Sequence, residues 1–196
     1  YGNVVLLQRT PSWADFLPDG SLSPGLREAT LRDRDAVEVR ELKLFIALDP
    51  FDSSSRGGLA NLPEGYEGAD LSDPDLRRAF VAEAAFLART HHPAYMALGT
   101  EVNATFERDP DQYAAFIEAY REAYDAVKVE SPETLVFVTF QYEQLLGIVP
   151  WEPPHVPRWS LITDIERQID VLAITSYPSF VFSVARKVPP LYYLQI

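Results

Sequence analysis

Glu101 has the clearest opening for chemistry in this sequence. It lies in the run Leu98-Gly-Thr-Glu-Val-Asn103, where an apolar stretch that starts at Tyr95 gives way within a few residues to threonine, glutamate and asparagine. Other polar and aromatic side chains follow short apolar runs in the same manner. Gln8, Arg9 and Trp13 come after Val4 to Leu7, Asp49 after Leu42 to Leu48, Gln141 and Glu143 after Leu135 to Phe140, and Ser176 and Tyr177 after Val171 to Ile174. A carboxyl group walled by apolar strands is expected to have its pKa raised by desolvation, so that it holds a proton near neutral pH as a general acid must. An arginine such as Arg9 beside it would keep a neighbouring carboxylate ionised.

Other chemistries lack their residues. The 196-residue chain contains no cysteine, which excludes disulfides, thiolate metal sites and cysteine nucleophiles together. His91 and His92 are adjacent and precede Pro93, so their side chains diverge; with no third ligand at suitable spacing, no metal is expected. No serine stands in a nucleophile-elbow motif. The segment Asp52-Ser-Ser-Ser-Arg-Gly-Gly58 is glycine-rich but lacks the lysine and hydroxyl ending of a phosphate loop, and it reads as a flexible surface loop.

The elements that would position these residues alternate. Five β-rich apolar runs are separated by stretches of helical period, the pattern of repeated βαβ units around a parallel sheet. Asp73-Pro74-Asp75 and Asp109-Pro110-Asp111 each supply a capping carboxylate, a first-turn proline and an acid suited to the positive end of a helix dipole. After the second, Tyr113, Phe116, Ile117, Tyr120, Tyr124 and Val127 share one face, while Glu118, Arg121 and Glu122 occupy the other. Pro24 to Glu41 reads as a solvated outer helix. In a parallel α/β fold the βα loops at the carboxyl ends of the strands form the open face, where all the residues singled out above would collect. Strand alternation puts Ala97, Gly99 and Glu101 on one side, and Ala173, Thr175 and Tyr177 likewise.

The Gly-Thr-Glu run after an apolar strand and before a helix resembles the acid/base strand of retaining (β/α)8-barrel glycoside hydrolases. The arabinogalactan endo-β-1,4-galactanases are the nearest likeness, with β-mannanases second. The resemblance implies an α/β fold, the TIM barrel, of which strands two to six are present, and a chain spanning 1–196 as the central portion of one catalytic domain, incomplete at both ends. It implies Glu101 as catalytic acid/base. Arg9 and Tyr177 are implied as supports of the nucleophile, with Trp13, Asp49, Asn103 and Gln141 lining a sugar cleft. Thr100 replaces the asparagine common before the acid/base in the family. The nucleophile that the family carries on its seventh strand is expected beyond Ile196. The reaction needs two carboxyl groups about 5 Å apart and no cofactor.

Composition agrees with that expectation. A 47% hydrophobic, 12% aromatic chain is globular rather than disordered. Its apolar runs are far shorter than the roughly 20 residues of a membrane helix, so no membrane partner is expected. The net charge of -12 repels phosphate backbones and argues against nucleic acid, so a neutral or cationic substrate is easier to admit; carbohydrate is the substrate that the resemblance implies. The alternative is a non-catalytic carbohydrate-binding barrel without the nucleophile; another barrel enzyme, such as a lyase or an aldolase, would require a lysine or metal cluster at the strand ends, and the sequence offers none there. The open edges and uncovered interior of an incomplete barrel favour self-association, and the apolar run Leu191-Tyr-Tyr-Leu-Gln-Ile196 reads as an interrupted chain. No basic-then-apolar leader precedes the first strand, and the compartment follows from function: secreted or periplasmic for a polysaccharide-degrading protein.

Overall fold

A computed structural model describes residues 2–182, 188, 189, 191 and 192. The run at 193–196 lies outside the described residues. Along the chain come β1 (Val4–Arg9), α1 (Trp13–Phe16), α2 (Pro24–Glu38), β2 (Lys43–Leu48), α3 (Pro74–His91) and β3 (Tyr95–Ala97). There follow α4 (Val102–Arg108), α5 (Pro110–Glu130), β4 (Leu135–Phe137), β5 (Thr139–Gln141), α6 (Tyr142–Leu145), α7 (Ser160–Thr163), β6 (Ala173–Thr175) and α8 (Pro178–Val181).

All strand pairings are parallel and follow chain order. β1 pairs with β2, β2 with β3 and β3 with β4, while β5 pairs with β6. Only Val138 separates β4 from β5, so the two are one strand with a local break. This gives five consecutive strand positions, each reached by an outward crossover, as parallel pairing demands.

The two faces of this wall differ in what they bury. Leu44, Ile46, Leu48, Met96, Leu98, Val136, Val138 and Phe140 turn outward and pack with the apolar sides of α3 and α5 in the main core. Phe45, Ala47, Tyr95, Ala97, Phe137 and Ala173 form a smaller cluster on the other face. On that side Thr175 ends β6, and Glu101 follows the end of β3.

The capping signals act as their chemistry dictates. Asp73 accepts from the backbone N–H groups of Asp75 and Leu76, and Asp109 from those of Asp111 and Gln112. On α5, Tyr113, Phe116, Ile117, Tyr120 and Val127 are buried, and Tyr124 is half-buried. α2 ends at Glu38 and is solvated along most of its length, with Leu26 and Thr30 turned inward.

Candidate active site

The end of β3 is built so that Glu101 projects from the rim. Its backbone N–H donates to Thr139 Oγ1 at 2.8 Å, while Thr139 N donates to Gly99 O at 3.2 Å, so the start of β5 pins the turn that follows β3. Glu101 adopts a left-handed backbone, φ 50° and ψ 46°, at the N-cap just before α4. Such a conformation costs a non-glycine residue of order 1 kcal/mol and is kept where the surroundings enforce it. Its side chain makes no capping bond to α4. Instead its Oε1 accepts from Thr175 Oγ1 at 2.7 Å, and the Tyr177 hydroxyl is also hydrogen-bonded to it. Burial, and then the Glu101 carboxylate beside it, push the Tyr177 phenol above its ordinary range.

Around these groups lies an open cleft of about 400 Å³. Ser53, Ser54, Ser55 and Arg56 line it from the loop after β2, and Trp151, Glu152 and Phe180 from the loops after β5 and β6. Sheet order places β3, and with it Glu101, between these two groups of loops. Trp151 and Phe180 are 50% and 53% exposed, and their rings meet edge to face at 5.4 Å. Tyr177 continues the cluster, 5.4 Å from Phe180. The cleft therefore has an apolar aromatic wall and a polar wall, an arrangement that suits a pyranose ring with its C–H face and hydroxyl edge.

The residues anticipated from the sequence divide. Glu101, Gln141 and Tyr177 line the cleft together. Asp49 lies at the end of β2, where it accepts from Arg56 Nη1 at 2.7 Å and from the backbone of Phe51 and Thr100. Burial raises its pKa in spite of the neighbouring guanidinium.

Arg9, Trp13 and Asn103 do not take the places anticipated for them. Arg9 stands opposite Leu48 in the β1–β2 register, on the outward face, and forms an ion pair with Asp33 of α2 instead of meeting Glu101. Trp13 is 2% exposed, buried in the helix layer with its indole N–H donating to Ala60 O at 2.7 Å, so its face is closed to any ligand. Asn103 is also buried; it holds both backbone groups of Gln141, donating to its carbonyl at 3.1 Å and accepting from its N–H at 2.8 Å. It therefore positions the end of β5 rather than lining the cleft. Glu143 is fully buried: its Oε1 accepts from Ser176 Oγ at 2.6 Å, Tyr177 N at 2.9 Å and Tyr192 OH at 2.8 Å.

Arg56, the bond from Thr175 to Glu101 and the part of Phe180 in the aromatic wall beside Trp151 escaped the sequence reading. The strand alternation that put Thr175 beside Tyr177 on one face was the available signal for the second of these. Burial and the nearby Arg9 charge drop His91 to about 4, so it is neutral in its packed position. Glu107, Glu152 and His155 bring three metal-type ligand atoms within 4.8 Å of one another. The Arg158 guanidinium pairs with Glu107 there and supplies a positive charge. Among the described residues no helix is long and apolar enough to cross a membrane.

No family model matches the chain, and no curated protein does. Solved structures do. An exo-beta-1,4-mannosidase, Op5Man5, from Opitutaceae bacterium strain TAV5 matches 90% of this chain with 25% identity and a TM-score of 0.65. A GH5_18 enzyme from Streptomyces cattleya in complex with Manb1-4GlcNAc matches 87% with 20% identity and a TM-score of 0.58. A beta-glucosidase from Thermotoga maritima in complex with deoxynojirimycin matches 94% with 12% identity and a TM-score of 0.57. The chain spans 32%, 42% and 54% of the length of these three proteins, respectively. Its five parallel strand positions and their covering helices have the fold of part of the TIM barrel found in β-glycoside hydrolases.

Proposed function

We propose that this chain is the central part, strands two to six, of a retaining β-glycoside hydrolase, with Glu101 as its acid/base. The observation that carries the reading is that Glu101 and Tyr177, from the ends of β3 and β6, meet in a cleft with one aromatic wall, with Thr175 bonded to Glu101 beside them. Catalytic groups of a barrel gather at this end from separate strands. The left-handed backbone at Glu101 keeps its carboxyl group off the helix it begins and available to a ligand.

In the proposed reaction the protonated Glu101 gives its proton to the glycosidic oxygen as the bond to the anomeric carbon breaks. A second carboxylate, proposed to come from a strand beyond this chain, forms the glycosyl intermediate. Glu101, now ionised, takes a proton from water as the water displaces that carboxylate. Thr175 and Tyr177 hydrogen-bond to the Glu101 carboxyl group and hold it in position. The substrate class we favour is a β-1,4-linked hexoside. The mannoside-directed neighbours support a β-mannoside over the galactan suggested by sequence resemblance, and secretion or export would suit a polysaccharide substrate.

The test is Glu101→Gln in a protein carrying this chain and the strands that complete the barrel. Turnover of β-1,4-mannobiose should fall by about three orders of magnitude or more, as loss of acid/base assistance predicts. An aryl glycoside with a good leaving group, which needs no protonation to depart, should lose far less in its first step. Equal losses on the two substrates would refute the assignment.

A further inference from the structure

Arg56 occupies a loop that sequence pattern read as surface, yet the loop is closed and specified. Asp52 Oδ1 accepts from Ser54 N, Ser54 Oγ and Ser55 N at 3.1, 2.6 and 2.8 Å. Its backbone N–H reaches Gly58 O at 2.9 Å, and Phe51 bridges to Leu59 beneath. These bonds hold Arg56 in a left-handed backbone, φ 58°, a conformation that a long side chain does not choose unaided. Its side chain is largely covered, 16% exposed, and Arg56 lines the cleft wall.

Asp49 fixes the guanidinium from behind. The same carboxylate accepts from the backbone of Thr100, the residue before Glu101, so the loop after β2 and the rim of β3 share one anchor. Arg56 is also close enough for its charge to act on the Tyr177 hydroxyl. A guanidinium offers five N–H donors in a planar fork. Asp49 offsets its charge, Glu152 offsets that of Arg108 at 3.7 Å in the same cleft, and Glu101 adds a further carboxyl group, so the surroundings do not favour an anionic ligand. A neutral ligand with two adjacent oxygens to meet the fork is favoured.

We propose that Arg56, oriented by Asp49, binds a vicinal pair of hydroxyls on a neutral hexoside lodged against Glu101, and thereby sets which hexose the cleft accepts. This rests on the glycosidase reading above. The sugar's apolar face stacks on Trp151 and Phe180, and its hydroxyl edge turns to Arg56 and the serines beside it. Arg56 then reads the configuration of that edge, since only adjacent hydroxyls at the right angle satisfy both arms of the fork.

Calorimetric binding of methyl β-D-mannopyranoside, its 2-deoxy and 3-deoxy analogues and its uronate tests this on the wild type, Arg56→Gln and Arg56→Lys. The wild type should bind the parent about tenfold or more tightly than the deoxy analogue that lacks the recognised hydroxyl, the ratio one such hydrogen bond supports. It should bind the uronate no better than the parent. In Arg56→Gln the parent should weaken by a similar factor and the deoxy discrimination should vanish. Arg56→Lys keeps the charge but loses the fork, so it too should lose the discrimination, an outcome that a merely structural arginine would not give. Discrimination that survives both substitutions, or a wild-type preference for the uronate, overturns the inference alone. A folded wild type that binds none of these glycosides overturns the glycosidase reading and this inference with it.

Discussion

Thr175 donates to Glu101 Oε1 at 2.7 Å, a bond that joins the ends of β6 and β3 across the intervening strand position. The bond fixes where the carboxyl group of Glu101 points at the mouth of the cleft. Thr175→Val removes the donor and keeps the shape. If Glu101 is the acid/base proposed above, the completed barrel carrying this variant should lose kcat several-fold through loss of orientation, with KM little changed. An unchanged kcat would count against Thr175 positioning Glu101.

Glu143 makes a prediction about stability. Its Oε1 gathers three donors, two of them from the Ser176-Tyr177 turn, while its Oε2 is buried and has no hydrogen-bond partner among the described residues. Glu143→Gln keeps the volume but removes the charge that strengthens those bonds, and it places an amide where no acceptor waits. Hydrogen bonds to charged groups contribute about 1.5–3 kcal/mol, so a loss of roughly 2 kcal/mol in urea unfolding is expected. The Tyr177 amide should also exchange faster with solvent. Unchanged stability and unchanged Tyr177 exchange would mean that the carboxylate does not hold the turn.

These two residues illustrate what could be read in advance. Asp73 and Asp109 announced their helices because the caps are local, and Glu101 stood out because an apolar strand led into it. The face of β1 was not legible: Val4, Val5, Leu6 and Leu7 are apolar on both sides of the strand, so alternation could not say whether Arg9 turned inward. In the structure Val5 and Leu7 pack on the helix layer, and Arg9 follows them outward. The role of the loop at Arg56 depends on Asp49 and Thr100, and the second of these is 44 positions away, so local composition carried no sign of it. Trp13 was misplaced for a related reason. Its surroundings are set by Ala60 and by Glu83, which binds Ser12 N at 2.7 Å, both far along the chain.

Gly147 controls the loop that carries Trp151. Its φ is +70°, and a Cβ there would lie 2.2 Å from the backbone oxygen of His155. Gly147→Ala must therefore shift the loop rather than a flexible side-chain end. Left-handed strain alone costs about 1–2 kcal/mol, and the backbone clash adds to it. The aromatic wall should be displaced with the loop, weakening glycoside binding about as much as Trp151→Ala does. Binding equal to the wild type would show that Trp151 takes no part in holding the sugar.

Glu83 and His91 predict a pH dependence in which two opposite slopes overlap. Burial raises Glu83 to about 7 from 4.5, against the smaller effects of the Ser12 N–H and Arg9, with Asp15 acting in the same direction as burial. Folded protein therefore binds more protons here than unfolded protein between pH 4.5 and 7. The contribution of Glu83 is full below 4.5 and is lost as pH rises through 7. Burial lowers His91 to about 4 from 6.5, aided by Arg9 and Arg34 and opposed by Asp33. There the unfolded chain binds more protons, and the contribution of His91 is lost as pH falls from 6.5 toward 4. Between 4.5 and 6.5 the two slopes nearly cancel. Glu83→Gln removes the falling one, so its stability relative to the wild type should climb steadily from pH 4.5 to 7 in urea unfolding. His91→Gln should show the reverse, falling relative to the wild type as pH rises from 4 to 6.5. A difference between Glu83→Gln and the wild type that stays constant across this range would mean that the Glu83 carboxyl titrates alike in the folded and unfolded chain, and that its burial carries no protonation cost.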